Sequence, residues 1–102
     1  MRKYYEIALR LAHESAHPKH KMAALVVKGG AIVAVATNSP RWHRHAERRC
    51  LKFGVSGDLI VIARQGGSMS KPCVDCLAAI QDAGIRRVVY ANWNKELVVD
   101  AC

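Results

Sequence analysis

No apolar run in this sequence approaches the roughly 18 residues needed to span a bilayer. The N-terminus, Met1-Arg2-Lys3-Tyr4-Tyr5-Glu6, lacks the long apolar stretch and small-residue cleavage site of a signal peptide. Both absences lead to the expectation of a cytoplasmic protein with no membrane partner. Internal repeats, low-complexity segments and linkers are missing too, so 102 residues are expected to form a single domain over 1–102. Acidic residues are scarce: 8 Asp and Glu stand against 16 Lys and Arg, for a formal net charge of +8. Such a balance favours an anionic partner, a nucleotide or nucleic acid before a membrane surface. A solubility charge without a specific partner is the alternative, since charge alone fixes neither fold nor chemistry.

What is present is a globular balance, 51% hydrophobic and 24% charged. Apolar positions at Tyr5, Ala8, Leu9, Leu11, Ala12 and Ala16 predict a helix from about Lys3 to Ala16, limited by Pro18. Met22 to Lys28 and Ala31 to Ala36 are apolar runs separated by Gly29-Gly30, the pattern of a β-hairpin. The loop Asn38 to Arg44 leads to His45, and a helix is expected from about Ala46 to Lys52, ending near Gly54. Leu59 to Ala63 and Arg87 to Ala91 read as strands buried on both faces. Between them lie a polar loop, Gln65 to Lys71, and a helix with Pro72 at its first position and Gly84 as its stop. Leu97 to Val99 reads as a short final strand. Strand–helix–strand units imply parallel pairing, so the expected class is α/β: a three-layer α-β-α fold with a mixed sheet of about five strands.

Four cysteines occur, Cys50, Cys73, Cys76 and Cys102. Without a secretion signal, the Cys73-Val74-Asp75-Cys76 spacing points to a metal site or a redox pair before structural disulfides. His45-Ala46-Glu47 upstream favours metal. One imidazole and two thiols suit Zn²⁺, and three protein ligands leave a fourth tetrahedral position open, the pattern of a catalytic site. Cys73 and Cys76 share one helix face in a first turn, where free N–H groups and the positive dipole end favour anions. Cys50 reads as a small core residue, and Cys102 has no assigned role.

Glu47 is then the acid–base candidate. Water on zinc is acidified towards a pKa of about 7. A neighbouring carboxylate can take its proton, leaving hydroxide to attack an electron-poor ring carbon. The same group can then protonate the ring nitrogen and the departing ammonia. The alternative is a solvated Glu beside a structural metal. His13 and His17, spaced i, i+4 near His20, read as favourable charge at a helix C-terminus rather than a second metal site. His43 competes with His45, but only His45 has a glutamate two residues on.

On His45-Ala46-Glu47 with Pro72-Cys73-Val74-Asp75-Cys76, and on the order of elements from about Tyr5 to Val99, the chain resembles the cytidine and deoxycytidylate deaminase superfamily. That superfamily includes tRNA adenosine deaminases and polynucleotide cytidine deaminases. The resemblance implies a cytidine deaminase-like fold, Zn²⁺ held by His45, Cys73 and Cys76, and Glu47 as proton shuttle. It further implies that Asn38 hydrogen-bonds the substrate sugar, that Met22 and Ala24 of the hairpin wall the base, and that Ala46 helps form the pocket. A plain turn asparagine before Ser39-Pro40 is the other reading of Asn38. Three features depart from the family pattern. The loop Ser39 to Arg44 is short. The motif begins with His, as in the nucleotide, tRNA and polynucleotide branches, where free-cytidine deaminases usually have Cys. The brief Trp93-Asn94-Lys95 connection implies antiparallel last strands, as in the free-nucleoside enzymes.

Arg41-Trp42-His43-Arg44, with Arg48 and Arg49, flanks the motif. Arg44 suits a phosphate and Trp42 a stacked base; a solvated basic face with Trp42 at a subunit contact is the alternative. A chain this small offers little surface for closing a site, and its family is commonly oligomeric, so a homo-oligomer is expected. The expected reaction is deamination of cytosine in a nucleoside or nucleotide (cytidine, deoxycytidine or a monophosphate) to uracil and ammonia, zinc-bound hydroxide attacking C4. The alternatives are a deaminase of single-stranded DNA or RNA cytosine or tRNA adenosine, and a non-catalytic zinc module that binds nucleic acid. The module has no use for Glu47.

Overall fold

The computed structural model describes residues 2–15, 21–38, 46, 50–51 and 56–101. Helix α1 spans Arg2–His13, followed by strands β1 (Met22–Lys28), β2 (Ala31–Thr37) and β3 (Leu59–Arg64). Helix α2 is Val74–Asp82, and β4 (Arg87–Ala91) and β5 (Leu97–Ala101) complete the order. Ala46 and Cys50 are also helical, as the sequence predicts for that segment. α1 stops at His13, short of the predicted end at Ala16, with Glu14 in a turn and Ser15 outside the helix. Pro18, most of the loop before Ala46 and the Gly54 stop lie outside the described residues.

The five strands form one sheet in the order β2-β1-β3-β4-β5. β1 is antiparallel to both β2 and β3, while β3 and β4 run parallel, joined through α2. β4 and β5 are antiparallel, Arg87 opposite Ala101 and Ala91 opposite Leu97. The short Asn92–Glu96 connection dictates this. Asn92 Oδ1 accepts from Asn94 N at 2.9 Å and Glu96 N at 3.0 Å, so the chain reverses within one turn. At the other hairpin, Gly29 and Gly30 have φ of 58° and 80°. Both lie in the left-handed region that a two-residue hairpin turn demands and that glycine enters at little cost.

Side chains alternate across the strands and divide the core in two. On one face Ala24, Val26, Ile60, Ile62, Val88 and Tyr90 pack with Ala46, Cys50 and Ile80. On the other, Leu25, Val27, Leu59, Val61, Ala63, Val89 and Ala91 pack with Tyr5 and Ala8 of α1. The result is three layers, with α1 on one face and α2, Ala46 and Cys50 on the other. Every residue of Leu59–Ala63 is buried, which explains the unbroken apolar run: a central strand covered on both faces has no polar side.

α2 starts two residues later than the sequence suggests. Cys73, with φ −69° and ψ 169°, is the N-cap, and its carbonyl accepts the first helical bond from Leu77 N at 2.9 Å. Pro72 is buried ahead of the helix. A proline is tolerated in the first turn or just ahead of it, where the N–H it lacks would have no helical partner, so its exact place near the start is not fixed by sequence. The stop is as expected. Gly84, at φ 78°, donates to Gln81 O at 3.0 Å and Ile85 N donates to Ile80 O at 3.3 Å, a paired closure with Ile80 and Ile85 both in the core.

Candidate metal and substrate site

Four strand ends meet at one edge of the sheet. β3 and β4, being parallel, both finish there. β1, antiparallel to β3, starts there, with Met22 opposite Arg64. β2 runs back to the same edge and ends at Thr37; the N–H of Asn38, the next residue, donates to Met22 O at 3.1 Å. Sites in open α/β sheets form at such strand ends.

The metal half of the motif reaches this edge through Ser70. This residue is 1% exposed. Its N–H donates to Ala91 O at 2.9 Å, its Oγ donates to Ile62 O at 2.9 Å, and the same Oγ accepts from Ala91 N at 3.0 Å. Ser70 therefore ties the ends of β3 and β4 together and fixes the segment that enters Pro72 and Cys73. Nothing in its sequence setting signals this; a serine in a polar, glycine-bearing loop reads as solvated until the strands around it are known.

Cys73 and Cys76 occupy the N-cap and third positions of α2. Cys73 is exposed, while Cys76 and Cys50 are buried. The Cys73 side chain makes no capping hydrogen bond. Two sulfurs one turn apart at the start of a helix, where backbone N–H groups have no helical partner, fit half of a zinc donor set. Among the described residues no further His, Cys, Asp or Glu completes a group of three. His45 and Glu47 lie outside the described residues, as do Trp42, Arg44, Arg41, His43, Arg48, Arg49, His17, His20 and Cys102.

Ala46 is fully buried, in the same apolar cluster as Ala24, Met22 and Leu77, the neighbour of Cys76. Ala46 of the first half and the helix that begins at the second half thus lie on one face of the sheet. Asn38 is buried, and its Oδ1 accepts from Met22 N at 3.0 Å and also from Ser15 Oγ. Met22 and Asn38 thus lie at the edge where the segment to the two cysteines begins, and Met22 packs against the cluster that holds Ala24 and Ala46. Cys50 packs in the core, as read from the sequence. His13 is engaged at the end of α1, with Gln65 Nε2 3.3 Å from its Nδ1 and Lys21 Nζ donating to its carbonyl at 3.3 Å.

A three-layer α-β-α sheet with a thiol pair at the start of the crossover helix defines the class to which zinc-dependent deaminases belong. The sequence pattern of the cytidine and deoxycytidylate deaminase zinc-binding region matches residues 1–92, and the chain belongs to that family. Among solved structures it is similar to the dCMP deaminase of the cyanophage S-TIM5 in its apo form. The TM-score is 0.67 and the identity 27%, over 89% of this chain and 81% of the phage chain. No curated protein matches the sequence. Membership makes the chain a deaminase of cytidine type in a zinc-binding family. No helix among the described residues is long and apolar enough to cross a membrane.

Proposed function

We propose that residues 1–102 act as one deaminase domain converting cytosine, in a nucleoside or nucleotide, to uracil and ammonia. The observation that supports this reading is the shared cluster: Ala46 from the first motif lies in the apolar cluster with Ala24, and Leu77, which follows the second motif, packs against it with Met22. His45, Cys73 and Cys76 would hold zinc, with Glu47 beside them. Zinc, when bound, supplies a Lewis acid that makes water nucleophilic near neutral pH.

Glu47 takes a proton from the attacking water as the oxygen bonds to C4. It passes that proton to the adjacent ring nitrogen, then carries the remaining proton of the same oxygen to the amino group, and the C4–N bond breaks with release of ammonia as C4=O forms. Met22, Ala24 and Ala46 form the apolar wall for the base, and Asn38 binds the sugar. Arg44 takes a phosphate where one is present, and Trp42 stacks. Because so small a chain closes little of the site by itself, the working form is a homo-oligomer in the cytoplasm.

The antiparallel β4–β5 pair supports the nucleoside end of the substrate range, given the resemblance of that feature to free-nucleoside enzymes. His45 at the motif's start and the likeness to a phage dCMP deaminase support the nucleotide end. A second reading, deamination of single-stranded polynucleotide or tRNA, is favoured by the net charge of +8. Binding would then weaken steeply with salt. The test is a panel of cytidine, deoxycytidine, their monophosphates, single-stranded DNA, RNA and tRNA, with zinc measured on the same sample. Conversion of a cytosine monomer with about one zinc per chain is expected. Conversion of polymers alone would select the second reading, and a zinc-loaded protein that converts nothing would overturn both.

A further inference from the structure

α1 packs on the sheet face opposite α2, away from the cysteines, yet it reaches the site edge through Ser15. The helix end carries Ser15 there: Glu14 N donates to Leu11 O at 3.0 Å and Ser15 N to Ala12 O at 3.1 Å. Ser15 is 4% exposed, and its hydroxyl is shared between Asn38 O, at 3.0 Å, and Asn38 Oδ1, 23 residues along the chain. The N–H of Met22 donates to the same Oδ1 at 3.0 Å.

This fixes which way the Asn38 amide points. A backbone N–H only donates, so the amide atom facing Met22 N must be the oxygen. The Ser15 hydroxyl is a second donor on that oxygen, which engages both of its lone-pair directions. Nδ2 leaves the amide carbon on the other side, away from Ser15 and Met22.

We propose that Ser15 is a positioning residue for substrate, locking the Asn38 amide so that Nδ2 donates to a sugar oxygen. The proposal rests on the reading of Asn38 as the sugar contact. It makes α1 part of substrate recognition, although α1 lies on the far face of the sheet. It also gives the site a chemical preference: a sugar oxygen that accepts a hydrogen bond is recognised, and an analogue without it is not.

The experiment compares the wild-type protein with Ser15→Ala, Ser15→Thr and Asn38→Ala. Each is assayed on deoxycytidine or deoxycytidylate, whichever turns over faster, and on its 2′,3′-dideoxy analogue. Ser15→Ala is expected to raise KM for the hydroxyl-bearing substrate about threefold to tenfold, the effect of one neutral hydrogen bond. Its kcat, and its KM for the dideoxy analogue, stay at the wild-type values, and Ser15→Thr restores recognition. An equal loss on both substrates, or no loss on either, overturns the proposal, since a merely structural serine cannot sense the sugar hydroxyl. If Asn38→Ala erases the discrimination while Ser15→Ala keeps it, Ser15 has no positioning role and the sugar contact stands. If Asn38→Ala also keeps it, the sugar contact itself is wrong. Should Ser15→Ala fail to fold, Ser15→Cys, nearly isosteric with a weaker donor, is read by the same criteria.

Discussion

Ser70→Ala removes one oxygen from a site with 1% exposure, and that oxygen serves two backbone groups at once. Ile62 O loses the hydroxyl donor at 2.9 Å and Ala91 N loses its acceptor at 3.0 Å. A buried polar group deprived of its partner costs about 1–3 kcal/mol. The two losses fall on adjacent parallel strands and share one void, so a total of about 2–4 kcal/mol is expected. Against a domain stability of about 5–15 kcal/mol this is a large fraction. At about 4–8 °C per kcal/mol, the thermal midpoint should fall by roughly 8–32 °C. Thermal unfolding followed by far-UV circular dichroism, with urea titration to confirm an unchanged slope, measures it. A shift under about 2 °C, less than half a kcal/mol on the same scale, would refute the bridging role of Ser70. Because Cys73 follows three residues later, the variant should also bind zinc more weakly, by about 10–100-fold as for other groups that orient ligands.

Gly57→Ala should destabilise the fold by about 1–3 kcal/mol, the usual cost of overpacking, since an added Cβ would lie 2.5 Å from Val26 Cγ1 and 2.8 Å from Val27 O. An unchanged urea midpoint would show that β1 yields there freely. Tyr90 donates to Asp100 Oδ2 at 2.7 Å, and this bond, with burial and the nearby carboxylate charge, raises its pKa above 10.0. The neutral phenol is favoured in the folded state, so its contribution is complete below the unfolded pKa and lost as pH rises through the folded one. Tyr90→Phe should therefore lower stability at pH 8 by about 1 kcal/mol and flatten its decline above about pH 10. Burial raises Tyr5 in the same direction, so part of the alkaline slope should remain in the variant. Identical pH slopes for the two proteins would count against the Tyr90–Asp100 bond.

The elements that were legible in sequence are those whose signal is local. Gly29-Gly30 marks a turn because few other residue types accept two consecutive positive φ values, and Leu59–Ala63 marks a central strand because a doubly covered strand is apolar throughout. The thiol pair was legible because its spacing is set by one helical turn. Boundaries were less so: β5 runs on through Asp100 to Ala101, beyond Val99, with Asp100 opposite Val88 and its carboxylate accepting from the Tyr90 hydroxyl. A charged residue at a strand end looks like the end of the strand until its partner is known. Ser15 and Ser70 were invisible for a related reason. Each is a small polar residue at a helix end or in a loop, and each becomes informative only when distant strands supply its hydrogen-bond partners.

The role of Glu47 as proton carrier is tested most directly by the rate of uracil formation from the preferred cytosine monomer in the zinc-loaded Glu47→Ala protein. General acid–base catalysis contributes about 10²–10⁴-fold, so a loss of at least that order with zinc content unchanged is predicted. Deamination at the wild-type rate by that variant would contradict the mechanism.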